Sequence, residues 1–143
     1  MIKNERQYRI TKAQVQKFEQ ALAELAEYPE EKKQENLLLW QVQMSALESQ
    51  CEDLKAEIAE YEALTTRPAD EPLVFTLDSI EALPLALIKA RIAAKLSQKE
   101  LAERLGLKEQ QIQRYEATEY ASANMARVIE VSQALGVKLQ SKA

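Results

Sequence analysis

The chain has 143 residues, 46% of them hydrophobic and 29% charged, with a net charge of −4, one cysteine and no histidine. That length holds one ordinary domain or two small ones. The missing histidines exclude Ser–His, Cys–His and histidine–metal chemistry, and a lone Cys51 excludes both an internal disulfide framework and zinc-finger spacing. Only two glycines and four prolines, amid abundant Ala, Leu, Glu, Gln and Lys, predict an all-α chain. Its opening stretch, MIKNERQYRITK, is polar, and no apolar run approaches a membrane span, so the expected location is the cytoplasm.

Two helices are expected in residues 1–66. Thr11 and Gln14 have capping-box spacing, and Val15, Phe18, Leu22 and Leu25 then recur at intervals of 3 and 4. The prolyl stretch YPEE at 28–31 breaks the pattern. A second helix from about 31 to 64 carries Leu37, Trp40, Met44, Leu47, Cys51, Leu54, Ile58 and Tyr61, an unbroken heptad seam. At 1.5 Å per residue this helix is about 50 Å long and the first about 27 Å, so a hairpin leaves part of the seam uncovered. A two-helix hairpin buries little by itself. The eight seam residues are therefore expected to dimerise the chain or to bind a partner. In a parallel dimer Cys51 would face its own copy, whereas a first helix covering that position would keep the two apart.

TTRPADEP, at 65–72, has two prolines and no periodicity, and residues 67–78 read as a linker. Within it LVFT, at 73–76, is a short β-like run. Residues 79–143 form the second expected domain. Asp78 with Glu81 marks a helix start, and Pro84 suits a first helical turn. Leu85, Ile88, Ile92 and Leu96 then make an apolar stripe. Ser97 with Glu100 is a capping box opening a helix that Gly106 closes, since glycine adopts a left-handed backbone without steric cost. A further helix runs from about Glu109 to Glu116, with Ile112 facing inward. Two helices joined by a short glycine-containing turn define a helix-turn-helix unit. The charge distribution follows this division. Residues 1–66 hold 8 Lys/Arg against 13 Asp/Glu, whereas residues 84–143 hold 10 against 6.

This part of the sequence resembles the lambda-repressor-like, or Xre-type, helix-turn-helix DNA-binding family. The resemblance covers about residues 83–137, with ARIAAKLSQKELAERLGLKEQQIQRYE at its core and VIEVSQALGV as the closing helix. It implies that Gln98, beside Lys99, meets phosphate at a helix N-terminus. It places Lys108, Glu109, Gln110, Gln111, Gln113 and Arg114 on the recognition helix. Side-chain chemistry agrees: glutamine pairs with adenine, arginine with guanine, and glutamate accepts from cytosine. The resemblance also makes Arg91 and Glu116 a buried structural ion pair. Two departures stand out. Lys95 occupies a position where relatives carry glycine, and the loop ATEYASAN lacks the usual glycine and basic residues. Tyr120, Ser122 and Asn124 are its candidate phosphate donors. The sequence after Leu135 leaves little room for the fifth, dimerising helix of the family, which makes the N-terminal half the expected substitute.

The expected function is sequence-specific binding of a palindromic double-stranded DNA operator by a homodimeric transcriptional repressor. Family analogy extends this to an antitoxin that also covers a toxin protein. The alternative is a coiled-coil adaptor whose helix-turn-helix fold serves only for protein docking. An enzyme is the least favoured class, and neither cofactor nor metal is expected.

Overall fold

A computed structural model of the chain describes residues 1–68 and 70–141, without the side chain of Ser141. The chain divides into two compact units, residues 1–61 and 62–143.

In the first unit, α1 (Glu5–Ala26), a short α2 (Glu30–Glu35) and α3 (Leu37–Thr65) follow one another. The start of α1 corrects the sequence reading. Asn4 caps it by accepting from the Gln7 N–H at 2.8 Å, while Gln7 accepts from the Lys3 N–H at 2.8 Å. Thr11 lies inside the helix, its hydroxyl donating to the Gln7 carbonyl at 2.8 Å. With 22 residues, α1 is about 33 Å long and covers more of its neighbour than expected. The second helix also differs from expectation: the backbone turns at Asn36, whose carboxamide accepts from Leu39 N–H and separates α2 from α3.

Residues rising along α1 meet residues falling along α3, so the two are antiparallel. The Tyr8 and Tyr61 rings lie 4.9 Å apart, Lys55 pairs with Glu19 at 2.9 Å, and the Trp40 indole donates to the Leu25 carbonyl at 2.8 Å. Val15, Cys51 and Tyr61 are buried here, and Phe18 and Leu54 line a shared groove. The chain's own α1 thus packs along the heptad seam. Cys51 is 3% exposed, Trp40, Met44, Leu47, Leu54 and Ile58 are half-buried, and Leu37 is exposed. Within one chain α1 therefore takes up part of the seam that the sequence offers to a second chain, because one continuous apolar stripe serves either purpose.

The second unit contains β1 (Val74–Leu77), a 3-10 turn at Ile80–Ala82, then α4 (Leu83–Ala93), α5 (Gln98–Leu105), α6 (Glu109–Ala117), α7 (Met125–Leu135) and β2 (Lys138–Ser141). Pro84 lies in the first turn of α4, where its missing N–H costs no helical bond. The two strands pair in parallel, with Val74 opposite Lys138 and Leu77 opposite Ser141. This corrects the linker, since residues 74–77 are tied into the second unit by that pairing; Ala69 of that expected linker lies outside the described residues. Apart from this small pair, the described residues are all-α in architecture.

The core of this unit is Leu87, Ile88, Leu101, Ile112 and Val131, each fully buried, one or more from every helix of the unit. Around it the local signals work as read. Ser97 accepts from the Glu100 N–H while Glu100 accepts from the Ser97 N–H, and Gly106 ends α5 at φ 68°. Lys95 adopts φ 59°, a conformation in which its Cβ crowds the backbone. Lys95→Gly should therefore raise thermal stability by about 1 kcal/mol, the relieved strain exceeding glycine's entropic cost. An unchanged or lower midpoint in thermal denaturation would show that Lys95 is not strained.

Candidate nucleic-acid interface

Three helices converge on one carboxylate. Glu116, fully buried on α6, accepts from Arg91 of α4 through Nε at 2.6 Å and Nη2 at 2.9 Å. The Gln98 amide at the start of α5 donates to Glu116 Oε1 at 2.9 Å, and Arg91 Nη1 also donates to the Leu96 carbonyl at 2.8 Å. The bidentate guanidinium–carboxylate fork fixes direction as well as distance. It sets the angle of α6 against α4 and α5. The helix is then pinned a second time by Ile112, fully buried on the same inward side.

Of the rest of α6, Gln111 and Tyr115 are half-buried and the other side chains face outward. Glu109, Gln110, Gln113 and Arg114 are all exposed and, at about 100° per residue, occupy one arc of the helix. The Gln113 amide reaches back to Glu109 at 3.4 Å, so these two present their polar edges together. Lys99 and Lys108 are exposed at the starts of α5 and α6, where helix-terminal N–H groups favour an anion. An outward arc of amide, guanidinium and carboxylate groups, flanked by lysines at helix N-termini, has the chemistry of a base-reading helix between phosphate contacts.

Other sequence candidates stand differently. Gln111 is half-buried and accepts from the Lys108 N–H at 3.2 Å, which makes it a cap for α6. Gln98 is buried, and its amide nitrogen is bound to Glu116, so its side chain supports α6 from within. The oxygen of Asn124 caps α7 by accepting from Arg127 N–H at 2.8 Å. Ser122 is exposed, its hydroxyl 3.0 Å from that of Thr118.

Tyr120 is a correction. It is 4% exposed, its ring stacks on Tyr115 at a centroid distance of 5.9 Å, and among the described residues its hydroxyl has no hydrogen-bond partner. Burial, followed by the nearby Glu116 carboxylate, pushes its pKa up. The loop turns without glycine by holding both Glu119 (φ 51°) and Tyr120 (φ 61°) in the left-handed region. That costs about 1–2 kcal/mol per residue, which the buried ring offsets. Sequence could not reveal this, because a tyrosine in a polar loop gives no sign of which way it turns. Tyr120→Phe should leave DNA affinity unchanged and stability equal or higher by up to about 2 kcal/mol, since it deletes an unpaired buried hydroxyl. A uniform loss of DNA affinity would restore the tyrosine as a phosphate donor.

The short capped helices α5 and α6, joined by a glycine turn, define a class, the helix-turn-helix module. Residues 87–141 match the family model described as helix-turn-helix, so the C-terminal unit is a helix-turn-helix domain of the lambda-repressor (Xre) type. The family is one of DNA-binding regulators. Comparison with curated proteins and with solved structures gives no match. No helix among the described residues is long and apolar enough to cross a membrane.

Proposed function

We propose that the chain is a sequence-specific transcriptional regulator that binds a palindromic operator as a homodimer and represses the promoter it covers. The observation carrying this reading is the contrast between the two sides of α6. Its inner side is locked by the buried Arg91–Glu116 fork, and its outer side offers Glu109, Gln110, Gln113 and Arg114. Glu109, Gln110, Gln113 and Arg114 supply base-edge contacts in the major groove. Lys99 and Lys108 supply phosphate contacts, joined by the exposed Ser122 and by the free amide nitrogen of Asn124. Gln98 and Gln111 act through the placement of α6, and Tyr120 through the loop behind it.

A second reading makes the chain an autoregulating antitoxin, its N-terminal unit covering a toxin. It is supported by the division into a DNA-reading unit and a separate acidic helical unit. Both readings predict protection of two half-sites about 34 Å apart on a palindromic operator, which the second places in the chain's own promoter. Footprinting with the purified full chain tests this. A single protected half-site at full affinity would contradict the dimer. Equal binding to every duplex would favour the adaptor, in which the helix-turn-helix fold docks protein.

A further inference from the structure

The first turns of α3 are apolar on two opposite sides. One side is the seam that packs on α1. The other carries Leu38, Leu39 and Val42, which are 72%, 51% and 56% exposed. By helical geometry this outer stripe lies about 150° round α3 from the seam, and Ser45, Ala46 and Ser49 continue it. Residues 36–47 contain no charged side chain, although 29% of the whole chain is charged; Glu35 and Glu48 bound the gap. A helix apolar all round is one that is covered on all sides.

We propose that a second copy of this chain covers the stripe, with the two α3 helices antiparallel and crossing at Val42. This rests on the dimeric regulator reading and supplies its interface. The pattern is self-complementary in that register, as a two-fold interface requires. Val42 meets its own copy, the bulky Leu38 lies opposite the second copy's Ala46, and Leu39 lies opposite its Ser45. The small residues give the leucines room for close helix approach. Charge selects the same direction. Parallel pairing would set Glu48 against Glu48 and Glu52 against Glu52 along α3, a repulsion that the antiparallel register avoids. An uncharged stripe also offers nothing for a charged partner to pair with.

Sedimentation of the full chain and of Val42→Arg tests the proposal. The unaltered chain should be a dimer at micromolar concentration, and Val42→Arg should weaken self-association at least tenfold with helical content unchanged. Should that variant misfold, Val42→Cys gives an independent answer. Mild oxidation should cross-link it, because residues on the two-fold axis bring their Cα atoms within about 7 Å. The unaltered chain should not cross-link, since Cys51 is 3% exposed. A chain that stays monomeric, or a dimer that survives Val42→Arg and fails to cross-link through Val42→Cys, would overturn the interface. So would a monomer whose stripe proves to bind a toxin. Val42→Arg should retain binding to a duplex carrying one half-site and lose the tighter binding to the palindrome. Loss of all sequence preference in both proteins would strike the regulator reading, while sedimentation and cross-linking still decide the interface.

Discussion

Replacing Glu116 by alanine should destabilise the C-terminal unit by about 3–5 kcal/mol, the largest single effect expected in the chain. The cost comes less from the lost attraction than from what is left behind. Arg91 is buried with its guanidinium aimed at an empty site, and the Gln98 amide loses its acceptor. Small domains have about 5–15 kcal/mol of stability in total, so the variant should be partly unfolded near physiological temperature. Urea denaturation followed by circular dichroism reads this. The two units can unfold separately, so the transition lost should be the one that Ile112→Ala also shifts. Replacing both partners, as Arg91→Met with Glu116→Leu, should recover much of the loss, because no unpaired charge stays buried. A Glu116→Ala protein with an unchanged midpoint would remove the fork from its structural role.

The fork was legible in sequence only through family resemblance, since Arg91 and Glu116 are 25 residues apart and nothing local links them. Local signals were far more readable. Ser97, Glu100 and Gly106 are capping and turn residues whose effect is confined to a few neighbours, and all three act as expected. The start of α1 was misplaced because Thr11–Gln14 and Asn4–Gln7 both have capping spacing, and the earlier pair forms the cap. The pairing of β1 with β2 joins residues 64 positions apart, beyond the reach of any local pattern. In the N-terminal unit the heptad period correctly gave a seam but not its occupant. Periodicity records that a face is covered, and burial of Cys51 and Tyr61 within the single chain shows what covers it. On the candidate surface, residue type marked the outer arc of α6, while the inward turn of Gln98 and Tyr120 depends on packing against Glu116 and Tyr115, which no local pattern records.

Arg114→Ala should lose about 1–3 kcal/mol on the preferred DNA site, roughly 5- to 150-fold in affinity. Arg114 is exposed on the outer arc of α6, in its last turn, and its fork suits the O6 and N7 edge of guanine. The loss should be selective. Affinity for sites altered at that one base pair should be nearly unchanged, so preference there relaxes while the other positions keep theirs. Lys99→Ala offers the contrast, a phosphate contact whose removal weakens every sequence alike and lowers the salt slope by about one. Stability should hardly change in either variant, since both side chains are exposed. Titration of the cognate duplex and its single-base variants at two salt concentrations separates the cases. Equal losses for Arg114→Ala on all duplexes would make it a phosphate contact.

Selection from a pool of randomised duplexes by the purified full chain tests the central claim most directly. One motif with two inverted half-sites about one helical turn apart should be enriched, with loss of information at one position per half-site in Arg114→Ala. A pool that returns unenriched, with the C-terminal unit folded, would contradict DNA reading by α6.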